Sequence, residues 1–98
     1  QLLHFHYNVS LQLQQLISAM KGKDFTTLRK WAVDNLDNDH TRIFRKIYDG
    51  LYESFEASSI PAAVLILADY QDKASRVADQ EINLTACLTE LMMECTVK

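Results

Sequence analysis

The chain of 98 residues carries ten Lys and Arg against thirteen Asp and Glu, a formal net charge of −3, and 48% of its residues are apolar. These values describe one globular domain, because a chain of this length buries roughly 60 to 68% of its unfolded surface when it folds. The chain contains only two Gly and one Pro, the residues that favour tight β-turns, so a β-sandwich or barrel is disfavoured. No apolar run approaches the roughly 18 to 20 residues that span a bilayer, so no membrane association is expected.

Two amphipathic helices are predicted in the first part of the chain. From residue 10 to 21 the apolar positions follow the spacing of one helical stripe, formed by Leu13, Leu16, Ile17 and Met20. Gly22 ends this helix, and Asp24 is placed to cap a second helix over residues 24–36.

A third helix is predicted to begin after Asp39, which is placed as its N-cap. Its apolar stripe runs over Phe44, Ile47, Tyr48, Leu51 and Phe55. Gly50 lies inside this helix, at an expected cost of about 1 kcal/mol relative to Ala.

A fourth helix is predicted from Pro61, whose missing N–H is tolerated in a first turn. Residues 62–67 contain no polar side chain, so this helix is expected to lie between other helices at the centre of the domain. It can continue to about Val77.

Asp79 can cap a fifth helix, whose stripe is Leu84, Cys87, Leu88, Leu91 and Cys95. The predicted fold is therefore all-α, a compact bundle of about five helices over residues 10–98, with residues 1–9 left as an unassigned N-terminal segment.

The two cysteines, Cys87 and Cys95, lie eight residues apart on the predicted fifth helix, about 12 Å at the helical rise per residue. They cannot form a disulfide across that distance. Both thiols are expected in the core, and a reducing cytoplasm is the simplest compartment.

Residues for catalysis or cofactor binding are sparse. Gly22 and Gly50 cannot supply a phosphate-binding loop, and His4 with His6 is a weak metal-ligand pair. The acidic pairs Asp79 with Glu81 and Glu90 with Glu94 suit a helix N-terminus and a solvated helix face better than acid–base chemistry. No catalytic, cofactor-binding or metal-binding residue is predicted.

DNA binding is an alternative, because the second and third helices could mimic a helix-turn-helix with Arg42, Arg45 and Lys46 on its second member. The overall electrostatics oppose it, since phosphate neutralisation dominates DNA affinity and this chain is acidic. Residues 1–49 carry a net charge of +2 and residues 50–98 a net charge of −5. This asymmetry suits head-to-tail contact between like subunits.

Several segments resemble the C-terminal region of the sliding-clamp loader small subunit of T-even-like bacteriophages. The first three are DFT at 24–26, RKWAVDN at 29–35 and IFRKIYD at 43–49. SSIPAAV at 58–64 and VADQEINL at 77–84 are similar to the last two helices of that subunit. ADY at 68–70 also resembles the replication factor C small subunits of archaea and eukaryotes. The resemblance covers roughly residues 11–95 and rests on the order and spacing of these segments.

The resemblance implies a helical collar domain through which clamp-loader subunits pack into a ring during DNA replication. In that family separate modules bind ATP, magnesium, primer-template DNA and the sliding clamp, and this chain resembles only the collar. It implies no enzymatic activity for the chain itself. The implied partners are other copies of the small subunit and a large subunit, in the cytoplasm of a phage-infected bacterium.

Aromatic and polar side chains beside the helical stripes are candidates for the subunit interface. These candidates are Trp31, Tyr52, Asp69, Tyr70, Gln80 and Glu81, whereas Tyr48 is assigned to the core and Asp79 to capping. Two alternative functions stay open, a small DNA-binding module that uses Arg42, Arg45 and Lys46, and a free-standing helical adapter.

Overall fold

A computed structural model describes residues 13–37 and 39–98, which form an all-α domain and confirm the predicted fold class. The helices are α1 (13–21), α2 (Phe25–Asp34), α3 (His40–Asp49), α4 (Leu51–Ser54), α5 (Ile60–Ala74) and α6 (Gln80–Glu94), with one turn of 3₁₀-helix at Ala57–Ser59. The segment 1–9, with His4 and His6, lies outside the described residues.

Three aspartates cap helix N-termini as the sequence predicts. The Asp24 carboxylate accepts from the Thr27 N–H at 3.1 Å and from the Thr27 hydroxyl at 2.6 Å, and these bonds hold the pKa of Asp24 below its usual value. Asp39 accepts from the N–H of Thr41 at 3.0 Å. Asp79 accepts from the N–H groups of Glu81 and Ile82 at 2.9 and 3.3 Å. Each carboxylate thus satisfies backbone donors that the helix leaves without partners.

The third helix differs from its prediction, because it does not continue to Phe55. Gly50 caps the end of α3, and α4 adds a single further turn. Phe55 then takes an extended backbone and pairs with Val97 in an isolated antiparallel bridge. The helix breaks at Gly50 because glycine has a low helix propensity. Leaving the helix lets the Phe55 side chain be completely buried.

Among the helices from α2 onwards, α6 packs mainly against α2 and α5, and α3 packs mainly against α5. The predicted α6 stripe is confirmed, since all five of its side chains are buried: Leu84, Cys87, Leu88, Leu91 and Cys95. Burial raises the pKa of the Cys87 thiol to about 12 and also raises that of Cys95. Both thiols are buried in the core, as the sequence predicts.

The apolar segment of α5 is not enclosed on all sides, which corrects the sequence prediction. Ala63, Ile66 and Leu67 are buried, whereas the Leu65 side chain is 72% exposed. The main neighbours of α5, α3 and α6, cover one side of it. No described residue buries the outer side at Leu65.

Candidate protein-interaction site

A surface groove of about 570 Å³ lies between α2 and α6. Its lining is mostly apolar and includes Phe25, Ile82, Ala86 and Met93. The Ile82 and Met93 side chains are each 68% exposed. Large exposed apolar side chains gathered in one groove are typical of a surface that binds another molecule.

The rim of this groove is acidic. Glu81, Glu90 and Glu94 contribute carboxylates, and Arg29 contributes a guanidinium whose Nη2 lies 3.8 Å from the Glu81 Oε2. The four charged side chains carry a net charge of −2. We call this surface, with its apolar lining and its acidic rim, the acidic groove.

The acidic groove arises from a second apolar stripe on α6. Ile82, Ala86 and Met93 are separated by four and seven residues, a helical spacing that places them on one face. This face lies beside the core stripe rather than on it. The predicted fifth helix included only the core stripe, although the second stripe was the signal that could have indicated the groove.

Tyr70 links α5 to the rim of the acidic groove. Its hydroxyl donates to the Glu90 Oε1 at 2.8 Å, and the Lys73 Nζ lies 4.7 Å from the centre of its ring. Burial, and then the hydrogen bond to Glu90, raise the pKa of Tyr70 to about 12. Tyr70 thereby holds one rim carboxylate in position.

Titration in alkaline solution should reveal this contact. We expect one tyrosine of the folded protein to ionise near pH 12, above the ordinary value of 10.0. Because the pKa is raised in the folded state, the stabilisation from neutral Tyr70 is present below pH 10 and lost as the pH approaches 12. Tyrosinate absorbance, followed alongside circular dichroism, measures both effects.

Two phenylalanine variants test this assignment of the late titration. Tyr70→Phe should remove the late ionisation, whereas Tyr52→Phe, which alters an exposed tyrosine, should leave it. A late step that persists in Tyr70→Phe would contradict the assignment.

The predicted interface residues occupy different places in the structure. Glu81 lies on the groove rim, and Tyr70 touches that rim through Glu90. Gln80 donates from Nε2 to the Ala74 carbonyl oxygen at 2.8 Å, so it holds the turn between α5 and α6. Asp69 pairs with Lys73 at 3.1 Å on the exposed side of α5.

The two remaining aromatic candidates separate by burial. Trp31 is 8% exposed and packs in the core, and its place at a subunit interface stays a prediction. Tyr52 is 75% exposed on α4 and remains a candidate. Tyr48, which the sequence analysis assigned to the core, is 47% exposed, because its position falls at the edge of the buried stripe of α3.

A second exposed surface combines aromatic rings with a cation on α3 and α4. The Arg45 guanidinium lies 5.3 Å from the centre of the Tyr48 ring and 3.1 Å from an Asp49 carboxylate oxygen. Tyr52 is exposed on α4, four residues after Tyr48 and beyond the end of α3 at Gly50. We call Arg45, Tyr48 and Tyr52 the basic ridge.

The helix-turn-helix interpretation is not favoured by the packing. The three cations Arg42, Arg45 and Lys46 are exposed on α3. However, α2 packs mainly against α6 and α3 mainly against α5, whereas the two helices of a helix-turn-helix pack against each other.

Other kinds of site find no support within the described part of the chain. Residues 13–37 and 39–98 contain no group of three or more His, Cys, Asp or Glu side chains that could hold a metal ion. No helix in these ranges is both long and apolar enough to cross a membrane.

Comparison with known proteins gives no family assignment, since neither a protein-family model nor a curated protein matches the chain.

Proposed function

We propose that this chain is the oligomerisation (collar) domain of a sliding-clamp loader small subunit, which holds ATPase modules in a ring during phage DNA replication. The observation that carries the oligomerisation role is the acidic groove, an exposed apolar surface of a size that a neighbouring protein can fill. The clamp-loader context rests on the resemblance of the segments between residues 24 and 84. The all-α fold is the fold that this resemblance implies.

In this proposal the chain has no catalytic step of its own. ATP and magnesium belong to the separate ATPase module, and the sliding clamp and primer-template DNA are contacted by modules outside this domain. The partners of the domain itself are other small subunits and a large subunit, in the cytoplasm of an infected bacterium. Its contribution is to bring those subunits together.

The alternative as a DNA-binding module draws on the three exposed cations of α3. Arg45 already pairs with Asp49, and α3 is not packed on α2 as a recognition helix would be. The chain is also acidic overall, which opposes binding to a polyanion. The oligomerisation role is therefore the stronger proposal, with a free-standing adapter as the other alternative.

The test of oligomerisation is sedimentation of the 98-residue chain over a wide concentration range. We expect concentration-dependent association that is lost in the groove variant Ile82→Lys with Met93→Lys. Leu65→Lys is the control for each of the two substitutions, because it places one lysine at a similarly exposed apolar position on α5. Circular dichroism checks that all variants fold. Equal association of the groove variant would contradict the proposal, and duplex DNA binding that Arg45→Glu abolishes would favour the alternative.

The clamp-loader context is tested separately by the coding sequence immediately upstream of Gln1. An in-frame phosphate-binding loop followed by a Ser-Arg-Cys motif would support a collar within an ATPase subunit. A start codon with no such module would favour the free-standing adapter.

A further inference from the structure

We propose that the acidic groove of one copy receives the basic ridge of a second copy, so that the chain associates head to tail. This inference rests on the proposed oligomerisation role and adds the identity of both contacting surfaces. It assigns a new role to Tyr48, which the sequence analysis had placed in the core.

Charge complementarity is the first support for this pairing. Helix α6 carries three glutamates and no Lys or Arg, a net charge of −3, and all three glutamates lie on the groove. Helices α3 and α4, which carry the ridge, hold three cations together with Asp49 and Glu53, a net charge of +1. The ion pair between Arg45 and Asp49 is exposed and therefore weak, so Arg45 can exchange Asp49 for a carboxylate of the groove.

The chemistry of the ridge also matches that of the groove. Tyr48 and Tyr52 expose large apolar rings that end in a hydroxyl, and such rings are enriched at protein interfaces. In the groove, the apolar side chains of Ile82 and Met93 can pack against the rings. The glutamates at the rim can accept hydrogen bonds from the tyrosine hydroxyls and pair with Arg45.

The positions of the two surfaces favour contact between copies rather than within one. The main packing runs from α2 to α6, from α6 to α5 and from α5 to α3. The groove lies between the first two helices of this series, whereas the ridge is on α3 and α4 at its other end. Two different surfaces that complement each other give a heterologous contact, which propagates into rings or chains of subunits.

Cross-linking between variants that each carry one added cysteine tests the pairing directly. Tyr52→Cys and Met93→Cys are mixed and treated with a short bismaleimide, because the native Cys87 and Cys95 are buried and unreactive in the folded chain. We expect a cross-linked dimer in the mixture and little in either variant alone. Ser75→Cys, an exposed position at the end of α5 outside both surfaces, is the control partner for each variant.

A charge exchange provides an independent measurement by sedimentation. Arg45→Glu and Glu94→Arg should each weaken association about tenfold or more, and a chain that carries both changes should recover most of the loss. Arg76→Glu is the matched control, because it makes the same charge change at an exposed arginine in the turn after α5, outside the ridge, that also pairs with an aspartate four residues away. It should leave association unchanged.

The outcomes separate this inference from the proposed function. One outcome is that Ile82→Lys with Met93→Lys loses association, while Arg45→Glu keeps it and no mixed cross-link forms. This outcome would overturn the ridge as the occupant of the groove and would leave the oligomerisation role supported. A chain that stays monomeric at every concentration and gives no mixed cross-link would overturn both proposals.

Discussion

Leu67→Ala is expected to lower the free energy of unfolding by about 2 to 5 kcal/mol, whereas Leu65→Ala should change it by less than about 0.5 kcal/mol. The two leucines are two residues apart on α5 and undergo the same chemical change. Leu67 is 3% exposed and Leu65 is 72% exposed, so only the first substitution leaves a cavity. Helix propensity does not account for the expected difference in stability, because both substitutions replace leucine with alanine, which is at least as favourable in a helix.

Urea denaturation of the two variants and the parent chain measures this difference. The expected loss at Leu67 is a large part of the roughly 5 to 15 kcal/mol that stabilises a typical domain. Circular dichroism at low protein concentration keeps the comparison on the monomer. Equal losses in the two variants would mean that the outer side of α5 is also packed, as the sequence alone had suggested.

The helices and their caps were predictable because the signals are local. Asp24, Asp39 and Asp79 each precede an apolar stripe, and each accepts a backbone N–H two or three residues later. The core stripe of α6 was also predictable, since its spacing is that of one helix face. These features depend on a few consecutive residues and not on the rest of the fold.

The end of the third helix was not predictable in the same way. Phe55 continues the apolar spacing of α3, but its burial depends on Val97, which is distant in the sequence. A periodic pattern cannot show that a residue leaves the helix to pair with another segment. Gly50 was the local sign of a break, but glycine is also tolerated inside helices at modest cost.

The candidate site was the least predictable part. Of the six predicted interface residues, Glu81 lies on the acidic groove and Tyr70 contacts its rim, while Trp31 is buried. The spacing of the apolar residues shows that a helix has two apolar sides, but it does not show which side the neighbouring helices cover. Ile82, Met93 and Leu65 are exposed because they lie on sides that no described helix covers.

A network of hydrogen bonds connects the two proposed contact surfaces within one copy. The Glu56 N–H donates to the Thr96 carbonyl oxygen, and the Lys98 N–H donates to the Ser54 carbonyl oxygen, both at 2.9 Å. The Lys98 ammonium also donates to the carbonyl oxygen of Tyr52 on the basic ridge. The segment 96–98 follows directly from α6, whose last turn carries the groove residues Met93 and Glu94. The position of the ridge relative to the groove is therefore fixed at this C-terminal bridge.

Phe55→Ala is expected to lower the free energy of unfolding by about 3 to 5 kcal/mol, because it removes a completely buried aromatic ring from beneath this bridge. Urea denaturation measures the total loss. Hydrogen exchange should show faster exchange of the backbone amides of Glu56, Thr96 and Lys98, since their bonds join the two segments. Head-to-tail association should also weaken, because the ridge loses its fixed position relative to the groove.

Phe25→Ala provides the matched control for this substitution. It removes the same ring from a side chain that is 45% exposed in the acidic groove, so the expected loss of stability is about 1 kcal/mol or less. Association should nevertheless weaken in Phe25→Ala, because the groove loses part of its apolar lining. The two variants thus separate stability from binding: Phe55→Ala affects both, and Phe25→Ala affects mainly association. Equal losses of stability would contradict the burial of Phe55, and unchanged association in Phe25→Ala would argue against the groove as the contact surface.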